Sequence, residues 1–388
     1  MKRFFIFLLC ALVTFSCQRN QNEKMRADSP FEVLFIGTYT KEEGHVDGQG
    51  EGIYIYAMDK ETGQLSYLNV SDSTISPSYL AVHPNGDNVY AVNEYDGGEA
   101  GFATVSAFEY NFKDHSLELI NEVSSLGQYP CHISIDNSGQ YVMAANYVGG
   151  SVAFYPIEKD GALGVHNSYK KHEGSSSHPR QEAPHAHMIV QHPTLNFIAA
   201  VDLGADRIYE YEIDSIGETL NYVGDYPNSP RMSGPRHLVF HPTLDIAYTL
   251  NELLGTIEVA PISDEERFQR IFQVISSQDV EDDREPASAA IKIHPNGRFL
   301  YASNRGELNE IVIFSVDEKG ILSRLGAQST LGLTPRDFEI DPSGRFLLAA
   351  NQDSNTIVTF SIDQETGMLS ETGNIAEVPT PVCLKFLK

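Results

Sequence analysis

The feature that most constrains this chain is a repeat. "PSYLAVHPNGDNVYAVNE" begins at Pro77 and "PCHISIDNSGQYVMAANY" at Pro130. "PHAHMIVQHPTLNFIAAVD" follows from Pro184 and "PRHLVFHPTLDIAYTLNE" from Pro235. "PASAAIKIHPNGRFLYASN" begins at Pro286, "PRDFEIDPSGRFLLAAN" at Pro335, and the fragment "PVCLKFLK" at Pro381. The units are 46 to 54 residues long. Self-similarity at this period means a series of supersecondary units, none of which can bury its apolar face alone.

Inside each unit, alternating apolar positions predict a short strand, then a Pro/Asn/Ser-Gly or Pro-Thr turn, then a second strand ending near Asn. A third strand such as "SVAFYPI" or "IVIFSVD" follows, then a turn such as "EKG" or "QETG", then a fourth strand. Gly and Asn supply the positive-φ positions that such hairpins require. Four antiparallel strands per unit are the signature of a propeller blade. The terminal "PVCLKFLK" is a first strand with nothing after it. The N-terminal "FEVLFIGTYT", "GIYIYAMD" and "LSYLNV" are second, third and fourth strands with no first. Joined, they make a seventh blade. The prediction is an all-β, seven-bladed β-propeller over 31–388, its last blade closed by the C-terminal strand plus three N-terminal strands. The longest interruption, Glu158–Ala183, is polar and Gly/Ser-rich in its later part and predicts a mobile loop. "EEGHVDGQGE" and "QDVEDDRE" read as shorter acidic loops.

Residues 1–17 stand apart from the repeat. Lys2 and Arg3 precede an apolar run from Phe4 to Phe15, then Ser16-Cys17, which is the pattern of a signal peptide. The run is too short for a stable membrane span. A small residue directly before Cys resembles a bacterial lipobox, although Thr14 and Phe15 depart from it. The expectation is an exported, periplasmic lipoprotein that touches the membrane only through lipid on Cys17; ordinary cleavage or an uncleaved anchor is the alternative. Residues 18–30 read as a flexible tether. Of the remaining cysteines, Cys131 and Cys383 fall at strand starts in different units, which predicts buried free thiols. No CxxC or other zinc spacing is present.

With 53 acidic against 27 basic residues, the formal charge is −26. Nucleic acid is excluded as a partner, because phosphate backbones need a positive footprint. An anionic small molecule would need a local cluster of Arg or His.

The topology supplies such a cluster. In a propeller the first strand of each blade lines the central channel, and its start lies beside the end of the antiparallel second strand. Residues after each repeat Pro, and around each strand-end Asn, therefore share one rim. The strand-start pairs are Ser78-Tyr79, Cys131-His132, His187-Met188, Arg236-His237, Ala289-Ala290, Arg336-Asp337 and Val382-Cys383. The strand-end pairs are Thr38-Tyr39, Asn93-Glu94, Asn146-Tyr147, Asp202-Leu203, Asn251-Glu252, Asn304-Arg305 and Asn351-Gln352. Unlike polar groups converging at one mouth are what an active site needs. Arg236 and Arg336 could hold a carboxylate, a phosphate or an oxyanion through forked donors. His187 or His185 could act as general base on water, and Glu252 could orient a His or itself take a proton. His132, His237, Asn146, Asn251 and Glu94 are the candidate substrate contacts, with strand-end Asn equally able to serve as a backbone cap. His83, His192, His241 and His294 precede a turn proline and read as structural. No GxSxG elbow, credible catalytic Cys-His pair or phosphate-cradling glycine loop is present. A His cluster could bind a divalent metal, but the rim is poor in carboxylates, and no metal or cofactor is expected.

Six stretches carry a family resemblance: "RQEAPHAH" (Arg180–His187), "CHIS" (Cys131–Ser134), "ANYVGGSVAFYPI" (Ala145–Ile157), "GPRHLVFHP" (Gly234–Pro242), "LNEL" (Leu250–Leu253) and "TPRDFEIDPSGRF" (Thr334–Phe346). Together they closely resemble the seven-bladed propeller lactonases, the 6-phosphogluconolactonase family related to the carboxymuconate-cyclising enzymes. The resemblance covers everything after the tether. It implies metal-independent hydrolysis of a sugar lactone such as 6-phosphogluconolactone at the channel mouth. The matching motif positions are His132, His185, His187, Arg236, His237, Glu252 and Arg336. A lactonising cycloisomerase, or a non-catalytic envelope propeller binding a glycan or a protein, are the alternatives. Export is the departure, since a phosphorylated pentose-pathway intermediate belongs inside the cell.

Overall fold

The structure is a computed structural model that describes residues 29–387, apart from 166–167, 215, 217, 229 and 280–282. The leader, Cys17 and residues 18–28 of the tether lie outside the described residues. Seven antiparallel sheets, each of at least four strands, make the seven blades. The first to sixth blades begin with the inner strands Pro77–Val82, Pro130–Ile135, Ala186–Gln191, Pro235–Phe240, Ser288–Ile293 and Pro335–Ile340. In the fourth blade the outermost position is shared by Arg267–Phe268 and Gln273–Ser276, both paired to Thr256–Ser263. The seventh blade joins the two ends of the chain. Pro381–Phe386 pairs antiparallel with Phe31–Thr38, Leu34 opposite Phe386 and Ile36 opposite Leu384.

Each blade alternates apolar residues toward both of its neighbours, so the core is a series of layers between blades rather than one centre. Phe35, Ile55, Phe108 and Tyr110 fill the layer between the seventh and first blades. Tyr248, Phe314, Ile291 and Leu300 fill that between the fourth and fifth. The turn histidines weld the outer layers. Backbone N–H groups of their own turns donate to Nδ1 of His83, His241 and His294, which leaves the proton on Nε2. Nε2 then donates to the carbonyl of a turn glycine in the next blade: Gly139 at 2.8 Å, Gly297 at 3.0 Å and Gly344 at 2.8 Å. Their expected structural role therefore has a concrete form: one side chain fixes its own turn and its neighbour's.

The stretch Glu158–Ala183 departs from the mobile-loop expectation. It contains the outer strand of the second blade, Ser168–Lys171, paired with Ser151–Phe154. Beyond that strand, His172 is buried and pairs with Asp202 at 2.6 Å while stacking on Tyr209. Gln181, fully buried, donates to the Leu203 carbonyl at 2.7 Å and to Asp206 at 3.1 Å. Part of the polar composition, His172 and Gln181, is spent on hydrogen bonds to the third blade. "EEGHVDGQGE" likewise includes a small hairpin, Glu42–Glu43 against Val46–Asp47, beside the channel mouth.

Candidate active site

A backbone irregularity repeated in all seven blades decides what reaches the mouth. In each inner strand the register slips by one residue at the start. Pro77 faces Asn93 but Tyr79 faces Val92, and Pro235 faces Asn251 but His237 faces Leu250. The same slip occurs in the other five. Two residues thus oppose one, which is a β-bulge, and a bulge re-aims the extra side chain. The extra residues are Ser78, Cys131, His187, Arg236, Ala289, Arg336 and Val382. In five of the seven blades the residue two before the bulged one is left-handed. Ser76, Tyr129, Thr334 and Thr380 have φ of 41°, 49°, 57° and 44°, and Gly234 has 64°.

In the second, third and fourth blades the bulge divides the strand-start pair between two cavities. Bulged Cys131, His187, Arg236 and Arg336 line a pocket of about 620 Å3 at the rim. The residues after the bulge, Tyr79, His132, Met188 and His237, line a second cavity of about 950 Å3 within the channel. The two share no lining residue. The channel cavity is larger, but its walls are mainly aliphatic and its charges are mutually satisfied. Lys292 lies 3.1 Å and Lys385 3.5 Å from Glu339, and Lys385 sits over the Tyr79 ring. The rim pocket gathers the groups able to do chemistry.

Four arginines and three carboxylates line the rim pocket: Arg180, Arg236, Arg305 and Arg336 with Glu94, Glu252 and Asp353. In so acidic a chain this is a local excess of positive charge. Glu252 is the hub. Its Oε1 lies 2.7 Å from Arg180 Nη1 and 3.1 Å from Arg305 Nη2, and its Oε2 lies 2.9 Å from Arg236 Nε. The last is an ion pair rather than a directed hydrogen bond, since the Nε–H does not point along the line to Oε2. Arg236 also donates from Nη1 to the Ala289 carbonyl at 2.6 Å. On the opposite side Arg336 lies 3.5 Å from Glu94 and over the ring of buried Tyr39.

Burial alone would raise the Glu252 carboxyl, but Arg305, Arg236 and Arg180 overcome it and hold it far below the usual carboxylate range. A carboxylate held that firmly ionised takes no proton at neutral pH, so Glu252 positions arginines. Burial, with Arg305 and Arg336 adding repulsion, lowers Arg236 to about 10. His187 is buried, and burial followed by the charge of Arg236 pushes its pKa well below 6.5. Its imidazole is therefore neutral at pH 7, and its Nδ1 has no hydrogen-bond partner among the described residues. Tyr147 meets the His187 ring edge-on at 5.6 Å.

Of the residues singled out from sequence, His187, Arg236, Glu252, Arg336 and Glu94 come together around this pocket. His185 does not line it. Its ring stacks behind Tyr147 at 4.6 Å and bonds the Tyr147 carbonyl and Glu182. His132 and His237 lie one layer below, in the channel, because they follow the bulge. Asn146 and Asn251 are fully buried within the blades. Asn146 donates to the Ser125 carbonyl and Ser151, and Asn251 donates to Thr256 and Glu258. Sequence reasoning left out Arg305 and Arg180. Arg305 follows a strand-end Asn just as Glu94 and Glu252 do, so its position was available. Arg180 opens the "RQEAPHAH" motif but reaches the pocket only because Gln181 is pinned beneath it.

An electropositive pocket at one mouth of a seven-bladed ring defines a propeller enzyme of the anion-handling kind. Residues 33–386 match the family described as lactonase, 7-bladed beta-propeller. The 6-phosphogluconolactonase of Bacillus subtilis is 35% identical over 356 residues, covering 92% of this chain and 98% of that protein. The periplasmic gluconolactonase of Pseudomonas aeruginosa is similar in structure, with a TM-score of 0.84 and 32% identity over 92% of this chain and 99% of that one. A solved Bacteroides fragilis structure gives a TM-score of 0.84 at 33% identity, covering 93% of this chain and 99% of its own. The chain belongs to the seven-bladed β-propeller lactonase family.

Proposed function

We propose that the protein hydrolyses a sugar δ-lactone of the 6-phosphogluconolactone type, opening it to the aldonic acid. The observation that carries this reading is the rim pocket, in which a neutral, buried histidine stands among arginines clamped by one ionised glutamate. The chemistry needs little else. Water adds to the lactone carbonyl as neutral His187 takes its proton. The oxyanion that forms is met by Arg236 and Arg336, whose charge is already oriented before the reaction. Collapse of the tetrahedral intermediate breaks the bond to the ring oxygen, which receives the proton from His187. One water is consumed and one acid is formed. Glu252 contributes by holding Arg236 and Arg305 in place.

Export of the chain as a lipid-anchored periplasmic protein is part of this reading. It is supported by the leader-like residues 1–17 and by the similarity to a gluconolactonase named as periplasmic.

The test is proton release from 6-phosphoglucono-1,5-lactone and glucono-1,5-lactone, measured above spontaneous hydrolysis. Arg236→Ala or Arg336→Ala is expected to lower kcat/KM by about 10²–10³. Losses no greater than about threefold in both variants would place the site elsewhere.

A further inference from the structure

The four arginines of the pocket are not equivalent. The side chains of Arg236, Arg305 and Arg336 are 3%, 15% and 15% exposed, whereas that of Arg180 is 48% exposed. The three buried arginines project from strand starts and strand ends of the propeller. Arg180 comes instead from the segment that crosses from the second blade to the third, and it reaches Glu252 of the fourth. The backbone beneath it is fixed: Ser176 N–H donates to the Gln181 carbonyl at 2.8 Å, and Gln181 is tied to Leu203 and Asp206. Gly204 allows the Ala183 carbonyl to lie against the third blade, where a Cβ would collide with it. The result is a long cationic side chain on a rigid base at the open side of the pocket.

Its present contacts are replaceable. Glu252 Oε1 accepts from Arg180 and is ion-paired with Arg305, and its Oε2 with Arg236, so it keeps two guanidinium partners if Arg180 leaves. The other contact, Arg180 Nη2 to the Tyr147 hydroxyl at 3.1 Å, is exposed. The other two partners of Glu252 have no such freedom: Arg236 is held by the Ala289 carbonyl as well as by Glu252, and Arg305 Nε donates to the Ala287 carbonyl at 3.2 Å. Among the three arginines on Glu252, taking an anion from solvent therefore costs the exposed Arg180 the least rearrangement, and a guanidinium binds phosphate or carboxylate with two parallel donors.

We infer that Arg180 is the specificity-determining residue of the pocket. It exchanges its bond to Glu252 for an anionic substituent at the end of the substrate far from the lactone carbonyl, while the buried arginines serve the carbonyl end. This rests on the lactonase reading for the identity of the substrate, but the recognition of a distal anion does not depend on turnover. The substituent is a phosphate, as in a 6-phosphoaldonolactone, or a terminal carboxylate, as in the lactone of an aldaric acid.

Two measurements on the full chain test it. Calorimetry with the stable acids 6-phosphogluconate, glucarate and gluconate is expected to show at least tenfold tighter binding of one of the two acids that carry a second anionic group than of gluconate. Phosphogluconate as the tighter ligand would assign phosphate, and glucarate would assign carboxylate. Arg180→Ala should abolish that preference and Arg180→Lys should restore part of it. In turnover, Arg180→Ala should raise KM for the preferred charged lactone at least tenfold more than KM for glucono-1,5-lactone, with kcat for the charged lactone changing less than KM. Equal affinity of the wild type for all three acids, or an unchanged preference in Arg180→Ala, would overturn the assignment. So would a loss confined to kcat and shared by both lactones, since that is the signature of a clamp on Glu252. If the wild type shows the binding preference but opens no lactone, the lactonase reading fails and the role of Arg180 stands.

Discussion

His187 and Glu252 show how the pocket sets protonation by surroundings rather than by residue type. The carboxylate is the group usually suspected of taking a proton, yet three guanidiniums keep it ionised. The imidazole, denied charge by burial and by Arg236, is neutral, as the proposed role of proton acceptor requires. The pH dependence follows. Lactonase kcat/KM should be level through neutral pH and fall only as His187 protonates, which happens well below 6.5. His187→Gln should lose about 10²-fold or more in kcat and, with it, the acid limb of the profile. A limb that persists in the variant would assign the base to another group.

At the scale of the strand, the decisive device is the bulge, and it marks the limit of what the sequence discloses. The blade count, the closure by both termini and the rim positions follow from repeat prolines, turn glycines and alternating apolar residues, all of them local signals. A register slip leaves no comparable mark. Arg236 and His237 are adjacent letters, and only the slip sends one to the pocket and the other to the channel. Asn251 and Glu252 diverge for a related reason: the first is consumed by bonds across its own blade, and the second lies past the end of the ladder. Arg180 depends on a segment whose composition reads as loop and whose anchoring side-chain bonds, from His172 and Gln181, run to the third blade. The left-handed turn before the bulge is itself testable at Gly234. A Cβ there would lie 2.5 Å from Leu253 Cγ, at a φ of +64°. Because the Gly234 carbonyl accepts from the Glu252 N–H at 2.7 Å, the strain passes directly to the hub. Gly234→Ala is expected to cost about 1–3 kcal/mol in denaturant unfolding and to lower lactonase activity together with it.

For the whole molecule, the ring has two vulnerabilities that can be measured. The first is acid. His132, His187 and His237 are all held well below 6.5, by burial foremost. In the unfolded chain each takes up a proton near pH 6.5, and in the fold only at lower pH. Between those values the unfolded state binds more protons, so stability rises with pH across that window. The contribution of these histidines is fully present above about pH 6.5 and is lost as pH falls below it. Substituting His132, which lies outside the rim pocket, with Gln should flatten that slope; an unchanged slope would show that the depression is absent. The second vulnerability is closure. Removing residues 381–388 would strip the inner strand from the seventh blade and expose the edge of Phe31–Thr38, an unpaired row of N–H and C=O groups. The truncated chain should aggregate or unfold at markedly lower denaturant, which light scattering and fluorescence would register; a monomeric protein of unchanged midpoint would refute strand closure as the fastening.

The bulge has one further consequence. A residue that takes no part in the ladder can be exchanged without disturbing the pairing on either side of it. Four such residues line a common opening in this ring, while the equivalent residues of the other three blades, Ser78, Ala289 and Val382, are small or aliphatic, buried, and contribute nothing to the pocket lining. They are positions without a charged group. A lineage, or a combinatorial library, could install charge or bulk there one blade at a time and change which molecule is admitted, while the barrel of blades that carries them is inherited intact.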